Sequence, residues 1–173
     1  TALVVIEQLP FAAGNDSLFV SYIETLNSID LSQTIGRIQY LHNIFNFSKI
    51  VIDTTGLGGG VTDVLKERIP GGVVEEVIFT RSSKPEMFTN LLLLLNQGKL
   101  KLPNYTTNLN PNCKKLFYQF LSIQRTFKED SDVPRISHEE GGHDDIVCAL
   151  ALAGTYFKVG RRKNKGYGLH GIG

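Results

Sequence analysis

The sequence predicts a single α/β domain in which helices cover a mixed β-sheet. Three observations support this prediction. The 173 residues are 42% hydrophobic, which suits one domain with its own core. A hairpin pattern opens the chain, and helical and extended patterns then alternate along it. A helix near the end is apolar on nearly every side, which is typical of a helix buried in a core.

The first half of the chain holds the hairpin and two further strands. The predicted elements are, in order, strand 1–7, strand 18–26, helix 30–45, strand 48–53, helix 61–69 and strand 73–79. A turn rich in Pro, Gly, Asn and Asp joins the first two strands. Asp30 or Ser32 could cap the first helix. Pro70 and two glycines end the second helix.

The second half contains three helices. The predicted elements are helix 84–97, a short edge strand at 100–103, helix 112–127, a polar hairpin or loop at 128–140 with a candidate strand at 134–137, and a closing apolar helix. The helix at 112–127 is expected to face inward through Leu116, Phe117, Phe120, Leu121 and Ile123. Residues 161–173 are basic and glycine-rich, so we expect a mobile tail after a domain at 1–160.

Charge and cysteine content exclude several classes of protein. The net charge of +1 gives no overall signal for nucleic acid or for a membrane surface. No apolar stretch is long enough to span a bilayer, and no signal peptide is evident. Two cysteines, Cys113 and Cys148, do not make a disulfide framework, so we expect buried thiols in a reducing compartment.

Acidic residues mark two places where an element starts or ends. Asp144 and Asp145 follow His143 at the head of the apolar helix, and Asp53 ends a β-branched strand before a glycine turn. Neighbouring carboxylates beside a core repel each other, and the helix dipole offsets only part of that cost. A divalent cation offsets much more. Sites in open α/β sheets form at the carboxyl ends of strands, so the acids could converge on one metal cluster.

Each of these residues also has a purely structural interpretation. Asp144 or Asp145 could simply cap the helix, which is the commonest use of Asp there. Asp53 could be a turn residue that accepts backbone hydrogen bonds. His143 could be a surface or capping residue. The glycines at 56 and 58–60 could cradle a phosphate, but a tight strand-to-helix turn is the simpler interpretation.

The two acidic motifs together resemble the nuclease domain of viral large terminases. The run Ile52-Asp53-Thr54-Thr55-Gly56-Leu57-Gly58 and the run from Gly142 to Ala153 carry the resemblance, and the order of elements between them agrees. It covers nearly the whole chain. The resemblance implies an RNase H-like fold and cleavage of concatemeric viral DNA by an acidic cluster with two divalent metals. It also implies an ATPase motor domain, a small terminase, a portal and double-stranded DNA as partners, no membrane, and activity in the host cell cytoplasm.

The chain departs from this family pattern in two respects. No ATP-binding glycine-rich loop followed by Lys-Ser or Lys-Thr is present, so the motor is not in this sequence. In the family, the first catalytic Asp lies on a strand that precedes the opening hairpin. Residues 1–7 resemble the second family strand, so we expect the first strand and its Asp to be missing. Glu7 is not expected to replace that Asp.

The resemblance assigns roles to particular residues. Asp53 is expected to bridge two metal ions, Mg²⁺ or Mn²⁺, and Asp145 is the preferred ligand from the helix. Asp144 either binds metal or holds the helix start. His143 could bind metal, orient a water or contact the scissile phosphate.

Basic residues provide candidate contacts to DNA phosphates. Lys128 and Arg135 lie on the polar hairpin, and Arg161, Arg162 and Lys163 lie in the tail. A basic tail can equally be a solvated chain end. Since no residue pattern suggests base reading, we expect sequence-tolerant, salt-sensitive binding.

Two other functions stay open: a Holliday-junction resolvase or another RNase H-like nuclease, and a catalytically inactive module that binds DNA or docks on the portal.

Overall fold

The computed structural model describes residues 1–10, 17–27, 30–55, 60–104, 106–107, 109–128, 131–138 and 143–157. For residues 125, 127–128, 131–135 and 137–138 it describes the backbone alone. Its elements are β1 (Ala2–Leu9), β2 (Ser17–Thr25), α1 (Leu31–Phe45), β3 (Ile50–Asp53), α2 (Gly60–Arg68), β4 (Val74–Val77), α3 (Ser83–Asn96), β5 (Leu100–Lys101), α4 (Pro111–Ser122), β6 (Ile123–Lys128), β7 (Ser131–His138) and α5 (Asp145–Gly154), followed by a 3₁₀ turn at Thr155–Phe157.

The strands form three groups in the described residues. β1 and β2 are the predicted antiparallel hairpin, and β5 adds to β2 in parallel. β3 pairs with β4 in parallel. β6 and β7 form a separate antiparallel hairpin. The expectation of a mixed α/β arrangement is therefore confirmed, and β1 and β3, from two different strand groups, both line a cavity described below.

Local signals place most elements where the sequence predicts them. Asp30, not Ser32, caps α1, because its side chain accepts a hydrogen bond from the Gln33 amide while Gln33 bonds back to the Asp30 backbone. Gly98 lies just beyond α3 with φ of +63°, a left-handed conformation that ends a helix easily only at glycine. Helices α2 and α3 and strands β3 and β4 all lie within a few residues of their predicted bounds.

The predicted helix at 112–127 is wrong in its last turn. α4 ends at Ser122, and residues 123–128 form β6. These residues pair with β7, from Ile123 opposite His138 to Lys128 opposite Ser131. The hydrogen bonds between the two strands outweigh the helical spacing of the apolar residues. Leu121, which was expected to face inward, lies in the last turn of α4 and is 67% exposed, whereas Leu116 is buried as predicted. The candidate strand at 134–137 is confirmed as part of the longer β7.

Two apolar clusters hold these elements together. In the larger one α5 packs against β2, α3 and α4 through residues such as Leu91, Leu116, Val147 and Leu150. The prediction that the apolar helix is buried is confirmed, since Ile146, Val147 and Leu150 have no exposed surface. A smaller cluster joins α1 and α2 to β3 and β4 through Ile35, Leu65 and Val74. None of the described helices is long and apolar enough to cross a membrane.

Candidate metal centre

The start of α5 presents its two carboxylates in different environments. Asp144 is the N-cap residue, and its carbonyl accepts the first helical hydrogen bond from the Cys148 amide at 2.8 Å. Its side chain is only 18% exposed, and Oδ2 accepts a hydrogen bond from Lys84 Nζ on α3 at 3.0 Å. Asp145, the first helical residue, is 57% exposed. The α-amino group of Thr1 lies 3.7 Å from its Oδ2, which puts the start of β1 beside this acid.

The simplest structural interpretation, that Asp144 caps its own helix, is wrong. An N-cap side chain normally accepts a hydrogen bond from the amide of the second or third helical residue, here Ile146 or Val147. The Asp144 side chain makes no such bond. Both amides instead donate to Gln119 Oε1 on α4, at 2.9 and 3.1 Å. The carboxylate at the helix start therefore has no capping role.

Burial shapes the titration of the groups around Asp144. Burial by itself lowers the pKa of Lys84, but the hydrogen bond to Asp144 and the nearby negative charge outweigh it, so that the pKa lies above its usual value. Lys84 therefore stays cationic at neutral pH. Burial raises the pKa of the Cys148 thiol to about 12, and burial also raises that of Cys113. Both thiols are free and protonated at neutral pH; Cys113 is buried as expected, whereas Cys148 is only partly buried.

Asp53 ends β3 in a turn that is tied to β4. Its Oδ1 accepts a hydrogen bond from the Thr55 amide at 2.9 Å. The Thr54 amide donates to the Val77 carbonyl, and Thr55 Oγ1 accepts from the Phe79 amide. The predicted turn role of Asp53 is thus real, but it uses one carboxylate oxygen. Among the described residues, Oδ2 accepts no hydrogen bond.

Asp53 and Asp145 line the same cavity. The cavity has a volume of about 930 Å³ and lies between β1 and β3, with α1 on one side and α5 on the other. Asp144, held by Lys84, is not part of its lining, and His143 is exposed to solvent. Carboxylate oxygens are the donors that Mg²⁺ and Mn²⁺ prefer, so the donor type fits such a cation. Within the described part of the chain, however, no three His, Cys, Asp or Glu side chains are grouped closely enough to hold a metal.

The cavity also exposes two strand edges. In the described residues β1 pairs only with β2, and β3 pairs only with β4. Their free edges carry unpaired backbone N–H and C=O groups, which are a template for another strand. Glu7 lines this cavity too, but it lies six residues along β1 from Thr1. At ~3.3 Å per residue that places it about 20 Å from the Asp145 end of β1, too far to share a metal with Asp145.

Comparison with known proteins identifies the family. The model of the terminase RNase H-like domain family matches residues 1–156. The chain belongs to this family. It is 26% identical over 145 residues to a terminase large subunit of Thermus phage G20c, covering 83% of this chain and 27% of that protein. It is 26% identical over 138 residues to the large subunit of Thermus virus P23-45, covering 79% of this chain and 26% of that protein. The chain thus spans about a quarter of these curated relatives.

Two solved structures share the fold of this terminase domain. The large terminase nuclease of phage G20c, crystallised with bound zinc, has a TM-score of 0.55 at 22% identity, covering 89% of this chain and 81% of that one. The nuclease domain of the large terminase subunit of bacterial virus Sf6, solved as a mutant with manganese and β-thujaplicinol, has a TM-score of 0.64 at 12% identity, covering 88% and 87%. The predicted RNase H-like fold is therefore confirmed.

The residues predicted to bind DNA are only partly visible in the terminase domain. Lys128 and Arg135 lie on the hairpin of β6 and β7, where the backbone is described and the side chains are not. Arg161, Arg162 and Lys163 lie outside the described residues, as does most of the glycine turn after Asp53. Their predicted roles stay predictions.

Two residues beside the candidate site are not predicted by the sequence. Lys84 and Gln119 reach the start of α5 from α3 and α4, far away in sequence. No sequence pattern around Lys84 indicates a contact with α5, because a lysine in the first turn of a helix is common. Gln119 carries a weak signal: it follows buried Leu116 by three positions, so a polar side chain shares the inward face of α4.

Proposed function

We propose that this domain is the divalent-metal-dependent endonuclease that cuts concatemeric viral DNA during genome packaging. Membership of the terminase RNase H-like family supports this proposal. The observation that carries it is the shared cavity of Asp53 and Asp145, two carboxylates that come from elements far apart in sequence. The zinc and manganese in the two solved relatives agree with a metal-dependent site.

The residues around the cavity suit phosphodiester hydrolysis. A pair of Mg²⁺ or Mn²⁺ ions supplies an activated water and stabilises the leaving oxygen when bound. Asp53 would hold both ions, because Oδ1 fixes the turn while Oδ2 accepts no hydrogen bond from the described part of the chain. Asp145 would hold an ion from the helix side. Asp144 would act as a further ligand or orient the site through Lys84, and exposed His143 could reach the scissile phosphate or a water.

We further propose that a β-strand from outside these 173 residues seats in the cavity and brings another carboxylate. The free edges of β1 and β3 would each gain a hydrogen-bonded neighbour, which joins the two strand groups into one sheet. Helices α1 and α5 line the cavity from both sides, so the seated strand would be covered on both faces and largely apolar. The carboxylate that this strand adds would give the metal ions a further ligand, since the described residues contain no group of three or more candidate ligands.

DNA would approach through backbone contacts, not base contacts. We assign Lys128, Arg135, Arg161, Arg162 and Lys163 to the phosphates, so that affinity would fall steeply with salt. The nuclease domain would comprise residues 1–160, with 161–173 as a basic tail. In the complete packaging machine its partners would be an ATPase motor domain, a small terminase and a portal, acting in the host cell cytoplasm.

The direct test is nicking of supercoiled plasmid by the protein in Mn²⁺, Mg²⁺ and EDTA. We expect metal-dependent nicking that Asp53→Ala and Asp145→Ala abolish. Asp63→Ala is the matched control, because Asp63 is an exposed acid in the first turn of α2 and does not line the cavity. The assay is repeated with a polypeptide extended toward the amino terminus in the native gene, to test whether a further strand is needed.

Other outcomes would favour the competing functions. Tight DNA binding without cleavage by either polypeptide would identify an inactive binding or portal-docking module, an alternative kept open by the short donor set. Preference for four-way junctions over linear duplex would identify a resolvase.

A further inference from the structure

Helix α5 is capped by a side chain from another helix. Gln119 on α4 accepts hydrogen bonds at a single oxygen, Oε1, from the amides of Ile146 and Val147. These two residues have no exposed surface, so their amides depend on an acceptor from the protein. The contact is therefore a required part of this helix start.

The two amides that Gln119 occupies are the ones that Asp144 would otherwise take. Asp144 is the N-cap residue, and Ile146 and Val147 are the second and third residues of the helix. Because Gln119 satisfies both donors, the Asp144 side chain can turn away to Lys84. Asp145, one residue further, then faces the cavity that it shares with Asp53.

We infer that Gln119 is a positioning residue, which holds the α5 carboxylates in the orientation that binds metal by relieving Asp144 of capping. This inference rests on the proposed function for its metal readout. Removal of the Gln119 oxygen would leave two buried amides without this acceptor, and the Asp144 carboxylate, at the N-cap position, is the group that would replace it. Asp144 would then leave Lys84, and the start of α5 would change its orientation toward the cavity.

The length of the side chain at position 119 and its acceptor oxygen decide whether both amides are satisfied. A glutamine oxygen can accept two hydrogen bonds and carries no formal charge. It therefore satisfies the helix start without adding a third negative charge beside Asp144 and Asp145. Asparagine is shorter by one methylene and would not reach both amides, whereas glutamate has the same length and would.

The test uses crystal structures and Mn²⁺ binding, measured by electron paramagnetic resonance, for Gln119→Leu, Gln119→Asn and Gln119→Glu. In the Leu and Asn variants we expect Asp144 to accept from the Ile146 or Val147 amide, with loss of the Lys84 contact. Mn²⁺ affinity should fall by about 10- to 100-fold, the usual effect of residues that orient metal ligands. Gln119→Glu should keep Asp144 on Lys84 and retain the binding. The Asn variant decides the question if the Leu variant does not fold.

The control is Gln39→Leu, which removes another half-buried glutamine oxygen, one that accepts from Arg68 on α2 and does not line the cavity. It should leave Mn²⁺ binding unchanged. Asp144 that stays on Lys84 in both the Leu and Asn variants would overturn the inference, and so would unchanged Mn²⁺ affinity in a protein that binds Mn²⁺. A parent protein that binds no Mn²⁺ would contradict the proposed metal site, while the position of Asp144 in the variants would still decide the role of Gln119.

Discussion

The turn after β3 and the start of α5 each contain an acid beside backbone amides that need a side-chain acceptor. The acceptor comes from a different source in the two regions. Asp53 supplies it itself, because its Oδ1 accepts from the Thr55 amide. At α5 a distant residue, Gln119, takes the amides, and Asp144 bonds to Lys84 instead. An acid at the end of an element thus need not be its cap, and only the tertiary structure shows which residue has that role.

The largest expected effect separates the two roles of Asp53. Asp53→Asn keeps an oxygen for the Thr55 amide but removes the charge that metal ions need. We expect nicking in Mn²⁺ to fall by about 10³-fold, which corresponds to the loss of roughly 4 kcal/mol of transition-state stabilisation. The free energy of unfolding should change by less than about 0.5 kcal/mol. Quantified plasmid cleavage and urea denaturation measure the two effects. If Asp53→Asn lowered the free energy of unfolding as strongly as it lowered nicking, the loss of activity would reflect loss of the fold, and the two roles of Asp53 would not be separate.

The second effect tests the arrangement at α5 by a double-mutant cycle. Lys84→Met in the parent protein should lower the free energy of unfolding by about 1 kcal/mol, because the half-buried Asp144 carboxylate loses its cationic partner. In the Gln119→Leu background the same change should cost close to nothing, since Asp144 has already left Lys84. The coupling of about 1 kcal/mol is read from urea denaturation of the four proteins. Additive costs would show that Gln119 and Lys84 act on Asp144 independently.

A smaller effect is expected when the turn acceptor itself is removed. Asp53→Ala leaves the Thr55 amide without its side-chain partner and should cost about 1 kcal/mol of stability. The difference from Asp53→Asn isolates the turn hydrogen bond, because both variants lack the charge. Equal stability of the two variants in urea would show that the turn does not depend on Asp53.

The effect that is smallest at neutral pH concerns Cys148, a partly buried residue of α5. Burial raises the pKa of Cys148 to about 12, above its value in the unfolded chain. The unfolded state therefore loses its thiol proton first, and stability should decline as pH rises from about 9 toward 12. Cys148→Ala should flatten that decline and leave the profile below pH 8 unchanged. Thermal melts across pH provide the measurement, and parallel declines in both proteins would place the cause elsewhere.

The sequence predicts those parts of this molecule that depend on local signals. Asp30 caps α1, Gly98 ends α3, and the acid motifs end β3 and begin α5 as expected. Prediction from the sequence fails where contacts between residues far apart in the chain determine the structure. Residues 123–128 continue a helical pattern, yet β7 draws them into a strand. Gln119 and Lys84 act on a helix that begins 26 and 61 residues after them, respectively, and no local pattern encodes that contact.

The central claim is that Asp53 and Asp145 hold divalent metal in the cavity between β1 and β3. Anomalous diffraction from crystals of the cleavage-active protein soaked in Mn²⁺ tests it most directly. The account predicts anomalous peaks at ~2.0–2.3 Å from carboxylate oxygens of both residues, at coordination distances typical of hard divalent cations. Peaks elsewhere, or full cleavage activity with both carboxylates free of metal, would contradict it.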